Sequence, residues 1–132
     1  MTQVVLIDGE EQSKITIFNR NMQFGDGLFE TCVAQKNKIL FWPNHFARLN
    51  IGCERLNIKK VNESDWMNDL NKAFALFDHS NCIVKLILSR GESLRGYGYK
   101  DDITPVRVVI ISEMKKTVVN NSFSLEYSDS GY

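Results

Sequence analysis

The run Cys82 to Leu88, CIVKLIL, constrains the fold more than any other stretch. It is apolar on both of its alternating faces except at Lys85, and a segment of that kind reads as a strand covered on both sides. It is therefore expected at the centre of a sheet. A glycine-rich loop, Gly91 to Tyr99, separates it from a second strong strand at Val106 to Ile111.

Ahead of the central strand the apolar period lengthens to that of helices. Pro43 suits the first turn of a helix, where its missing N–H costs nothing. From there Phe46, Leu49, Cys53 and Leu56 mark an amphipathic helix of about four turns. Asn62 with Asp65 resembles a capping pair for a second helix, whose buried face is Trp66, Leu70, Ala73, Phe74 and Phe77. The N-terminal third reads as strands. Val4 to Ile7 ends in Asp8-Gly9, a strong hairpin turn, and Lys14 to Phe18 reads as another short extended piece. Asn19 to Gly27 is a polar, glycine-bearing loop. Phe29 to Ala34 regains strand character, Lys36-Asn37 turns, and Ile39 to Trp42 pairs back. A last strand-like segment, Phe123 to Tyr127, follows a polar stretch. Strands, two helices, then strands again give an α+β fold, a mainly antiparallel sheet with two helices packed on one face.

The length of 132 residues allows one domain with a real core and not two. Sixteen basic and sixteen acidic residues cancel, so nothing in the charge favours nucleic acid or an anionic membrane surface. No apolar run approaches the roughly 20 residues of a membrane helix, and the N-terminus lacks the pattern of a signal peptide. Cys32, Cys53 and Cys82 are odd in number and mostly set among apolar residues. That points to reduced, buried thiols in a cytoplasmic protein, and away from disulfides or a metal site.

Three segments could carry chemistry. In Gln23 to Thr31, QFGDGLFET, two glycines around Asp26 let the backbone approach a ligand, or simply turn before a strand. On the first helix His45, Arg48, Gly52 and Arg55 share a face. A guanidinium beside a glycine suits phosphate, whose oxygens match its planar donors; the alternative is a solvated basic edge. The loop Ser89 to Tyr99, SRGESLRGYGY, could meet carboxylates with its arginines and line a pocket with its tyrosines. It could equally be a flexible hairpin loop, and it matches neither common nucleotide-loop spacing.

Together, in this order, the three segments resemble the fold-type IV pyridoxal-phosphate enzymes. Asn19-Arg20 through Gln23-Phe24-Gly25-Asp26-Gly27-Leu28-Phe29-Glu30-Thr31 is similar to the opening signature of that group, which includes branched-chain and D-amino-acid aminotransferases. His45-Phe46-Ala47-Arg48-Leu49 with Cys53-Glu54-Arg55-Leu56 resembles its first helix. Lys85-Leu86-Ile87-Leu88-Ser89-Arg90-Gly91 with Arg95-Gly96-Tyr97 resembles most the bacterial aminodeoxychorismate lyases.

The resemblance implies the N-terminal domain of a D-amino-acid-aminotransferase-like fold over 1–114, with 115–132 as linker and first strand of a second domain. It implies pyridoxal phosphate as cofactor and Arg48 as the ligand of its phosphate. Arg90 and Tyr97 would lie at the substrate side, and Phe24, Asp26 and Gly27 in the loop that shapes the pocket. The implied reaction eliminates pyruvate from 4-amino-4-deoxychorismate to give 4-aminobenzoate, a step toward folate. An aminotransferase, or a non-catalytic binding or assembly module, is the alternative. A homodimer is implied, with the active site near its interface. The lysine that carries the cofactor is expected beyond Tyr132, leaving no catalytic residue here, no covalent cofactor and no activity in this chain alone.

Overall fold

A computed structural model of the protein describes residues 3–93, 99–100 and 102–114. The chain runs β1 (Gln3–Ile7), β2 (Glu10–Glu11), α1 (Arg20–Phe24), β3 (Gly27–Gln35) and β4 (Lys38–Ile39). It continues through α2 (Trp42–Leu56), α3 (Glu63–Leu76), β5 (Asn81–Ser89) and β6 (Val106–Glu113). The segment 115–132, with the expected strand at Phe123 to Tyr127 and with Lys115 and Lys116, lies outside the described residues, as does Tyr97.

The CIVKLIL run sits inside β5, paired along its length with β3 on one side and β6 on the other. The six strands form one sheet in the order β2-β1-β6-β5-β3-β4, and every pairing is antiparallel. The sequence expectation of a mainly antiparallel α+β fold is met. Strand alternation then fixes the faces. Cys82, Val84, Leu86 and Leu88 of β5 point into a core with Leu49 and Cys53 of α2 and Trp66, Leu70, Ala73 and Phe74 of α3. Each fully buried Leu there contributes about 2 kcal/mol of transfer free energy. Both long helices therefore cover the same face of the sheet.

The tight turns follow from backbone sterics. Asp8 and Gly9 both have positive φ, as do Lys36 and Asn37, the combination that matches hairpin twist. Three local expectations need correction. Lys14 to Phe18 is not a strand: residues 12–16 carry no regular structure. Thr16 takes the Phe18 N–H on its hydroxyl and the Asn19 N–H on its carbonyl, closing a turn instead. The polar stretch after it is not all loop, because Asn19 caps α1 with its side chain and Gly25 ends it at φ 63°. Finally, only Lys38 and Ile39 pair back with β3, and Trp42 already belongs to α2.

All three cysteines are buried and unpaired. Burial pushes the Cys32 thiol up to about 12 and the Cys82 thiol up to about 11. Neither forms the thiolate that nucleophilic chemistry needs. No helix among the described residues is long and apolar enough to cross a membrane.

The opposite face of the sheet carries Val5, Ile7, Phe29, Lys85, Ile87, Val108 and Ile110. Residues between Ser13 and Met22 lie over one end of it, where a cavity of about 260 Å³ remains.

Candidate functional site

Two charged clusters flank β3, and they are built differently. The first joins β3 to α2. On the inward side of β3, Glu30 occupies a position whose neighbours on the same face, Cys32 and Ala34, are core residues. His45 and Arg48, three residues apart on α2, meet it there. Glu30 Oε1 accepts from Arg48 Nε at 3.0 Å and lies 2.7 Å from His45 Nδ1. Glu30 and His45 are buried, whereas the Arg48 side chain is 51% exposed. Arg48 Nη2 stands 3.1 Å from His45 Nδ1, and Nη1 has no partner among the described residues. A guanidinium anchored on its inner edge and open on its outer edge is suited to an anion arriving from solvent. Gly52, one turn further on, faces Leu28, and a Cβ there would make an ordinary 3.4 Å contact.

The second cluster centres on Asp26. Its Oδ2 accepts from Arg20 Nε and from Arg90 Nε, each at 2.8 Å. Burial alone would raise this carboxyl, but the hydrogen bonds from Arg20 and Arg90 outweigh it and hold Asp26 below the usual carboxylate range. Arg90 also donates through Nη1 to the Asn57 carbonyl at 3.0 Å and through Nη2 to the Leu56 carbonyl. Those are the carbonyls of the last residue of α2 and of its C-cap, which a helix end otherwise leaves without partners. Arg20 spans to Ser93 through Nη1 at 3.0 Å and stacks on the rings of Phe24 and Tyr99; Arg90 lies 4.3 Å from the Tyr99 ring centroid. Gly27 sits where β3 begins, and a Cβ there would come 2.6 Å from the Leu88 carbonyl oxygen.

The structure thus brings Phe24, Asp26, Gly27 and Arg90 into one neighbourhood. There Arg90 is buried and ties the loop after β5 to the end of α2. Arg48 stands in the other cluster, and the two share no side chain. Sequence reasoning passed over Glu30. The signal was present: a carboxylate on the inward side of a strand otherwise lined by Cys32 and Ala34. It also gave no role to Lys85, an exposed cation on the sheet face away from the long helices. Its Nζ lies 4.7 Å from the Phe29 ring centroid.

Comparison with known proteins agrees with this fold. The sequence model of the amino-transferase class IV family matches residues 27–121. An aminodeoxychorismate lyase of Vibrio harveyi is 28% identical over 122 residues, covering 92% of this chain and 41% of that protein. The crystal structure of 4-amino-4-deoxychorismate lyase from Pseudomonas aeruginosa superposes with a TM-score of 0.72 at 32% identity, over 80% of this chain and 38% of that one. A hypothetical aminotransferase from Mycobacterium tuberculosis, in its pyridoxal-phosphate-bound form, shares the fold with a TM-score of 0.72 at 20% identity, over 89% of this chain and 42% of that one. The chain thus spans about two fifths of the length of these relatives.

Proposed function

Because the chain belongs to the amino-transferase class IV family, which uses pyridoxal phosphate, we propose that it forms the N-terminal part, residues 1–114 as a small domain, of a 4-amino-4-deoxychorismate lyase. One observation carries the choice of lyase: the likeness to lyases extends to sequence, at 32% and 28% identity, whereas the aminotransferase likeness at 20% is one of fold. The runner-up is an aminotransferase, favoured by the family's own description.

The described residues fit the phosphate end of the cofactor. Arg48 offers an outward guanidinium edge at the sheet margin, held by a buried carboxylate. When bound, the cofactor supplies the electron sink for elimination or amino transfer. What this chain's residues do is bind and orient. Arg48 takes phosphate oxygens, and the loop fastened by Asp26 and Arg90 shapes the pocket edge. Lys85, exposed beside Thr31 and Phe29 on the sheet face away from the long helices, offers a cation to a substrate carboxylate.

Proton transfer needs a lysine whose pKa has been lowered by burial or by charge. Every lysine among the described residues is exposed, so none of them has the desolvation for that role. On this reading, which puts the cofactor's lysine in the rest of the full-length protein, the 132 residues assayed alone are expected to show no turnover. They are also expected to give no stoichiometric lysine adduct after borohydride reduction with pyridoxal phosphate. The product assay on the full-length protein tests the activity. Pyruvate and 4-aminobenzoate released in equal amounts from 4-amino-4-deoxychorismate support the lyase. Amino transfer to 2-oxoglutarate without pyruvate release supports the aminotransferase and removes the lyase reading.

A further inference from the structure

Glu30 is 6% exposed, in a strand position that packing alone would fill with an apolar side chain. A carboxylate taken out of water is costly unless its oxygens are satisfied. Here Oε1 is met by two residues of α2, Arg48 at 3.0 Å and His45 at 2.7 Å. We propose that Glu30 is a positioning residue for Arg48, locking the guanidinium so that its outer edge faces the cofactor's phosphate. This inference rests on the phosphate-binding reading of Arg48 given above.

The hydrogen-bond geometry assigns the parts. A bare Nδ1 at 2.7 Å from Glu30 Oε1 would set two acceptors against each other, so the proton sits on Nδ1 and is donated to the carboxylate. His45 then cannot accept from Arg48; the 3.1 Å approach turns one Nη2 hydrogen toward the ring and leaves the other available. Glu30 draws only on Nε, the inner edge. Nη1 and Nη2 therefore keep a fixed outward aim that a phosphate can meet with two parallel bonds. A free arginine on a helix surface would lose its rotamer freedom on binding; one already held by Glu30 loses little of it. The carboxylate's charge subtracts some attraction for the anion, but its fixed geometry acts selectively on the phosphate and leaves the rest of the cofactor untouched.

The test is the affinity of the full-length protein for pyridoxal phosphate and for pyridoxal, which lacks the phosphate, each by absorbance titration. Glu30→Gln keeps the volume and an acceptor but removes the charge that holds both donors. The preference for the phosphorylated ligand is expected to fall about three- to tenfold in Glu30→Gln, the range for ordering one long side chain. Pyridoxal binding should be unchanged. In an Arg48→Ala background the same substitution should change the preference no further. Glu30→Asp, which keeps the charge but shortens the reach, should lose part of the preference, and it carries the test if Glu30→Gln does not fold. Equal weakening of both ligands would make Glu30 merely structural and overturn the inference. So would a further loss of preference in the Arg48→Ala background. If Arg48→Ala itself leaves the preference unchanged, the phosphate reading of Arg48 falls and this inference with it. If Arg48→Ala lowers it and the Glu30 variants do not, only this inference falls.

Discussion

Arg20, Arg48, Arg90 and Arg107 each pair with an acidic side chain, and exposure separates their roles. The side chains of Arg20 and Arg90 are nearly buried and Arg107 is 24% exposed, while Arg48 is 51% exposed. Buried guanidinium–carboxylate clusters resist loss of one member more than they reward its presence. Asp26→Asn should therefore cost about 3 kcal/mol in urea unfolding at neutral pH, because two buried arginines lose their shared anion. The pH dependence has a definite sign. Asp26 titrates below its ordinary value in the folded protein, so its stabilisation is full above the unfolded value of about 3.9 and is lost as pH falls through the lowered one. The stability gap between wild type and Asp26→Asn should accordingly narrow only below about pH 4; a gap constant down to strong acid would contradict the ion-pair account. Helical spacing sufficed to put Arg48 on a shared face with His45. Sequence could not tell Arg90 from Arg48, because what distinguishes them is three-dimensional: Arg90 reaches the Leu56 and Asn57 carbonyls more than thirty residues away.

Among the elements, those with long apolar periodicity were legible and those held by single hydrogen bonds were not. β5, β6, α2 and α3 announce themselves by repeated apolar positions whose burial supplies most of the core. α1 is five residues long and depends on one asparagine cap and one left-handed glycine, signals too short to outweigh a loop reading. The turn at Thr16 similarly depends on one hydroxyl. The expected cap at Asn62 is half right: it occupies the N-cap of α3, but its side chain makes no capping bond and its carbonyl takes the Asp65 N–H. Two substitutions probe the element packing. Leu86→Ala removes a fully buried side chain at the centre of β5 and should cost about 3 kcal/mol. Gly27→Ala places a methyl against the β5 backbone at Leu88 and should cost about 1 to 3 kcal/mol, because two paired strands must part. Urea midpoints with unchanged m-values check both, and a neutral Gly27→Ala would mean the strands give way there at no cost.

At the scale of the whole molecule, the sheet is closed by helices on one side and, among the described residues, only partly covered on the other, by residues between Ser13 and Met22. On that side Ile7 and Val108 are buried, Val5, Ile87 and Ile110 are half-buried, and Phe29 is 45% exposed. Contiguous apolar surface of that kind drives association. The chain by itself is expected to sediment with concentration-dependent mass. Ile110→Glu, a change at a half-buried site on that face, should reduce the association more than it reduces stability; a strictly monomeric wild-type chain at high concentration would show the face to be inert. A second layer against this face would enclose Lys85 and Phe29. The most direct test of the account is the structure of the full-length protein with pyridoxal phosphate bound. The account predicts the phosphate within hydrogen-bond distance of the outer edge of Arg48, with Glu30 still on Nε. A phosphate held wholly by other residues, with Arg48 left facing solvent, would contradict it.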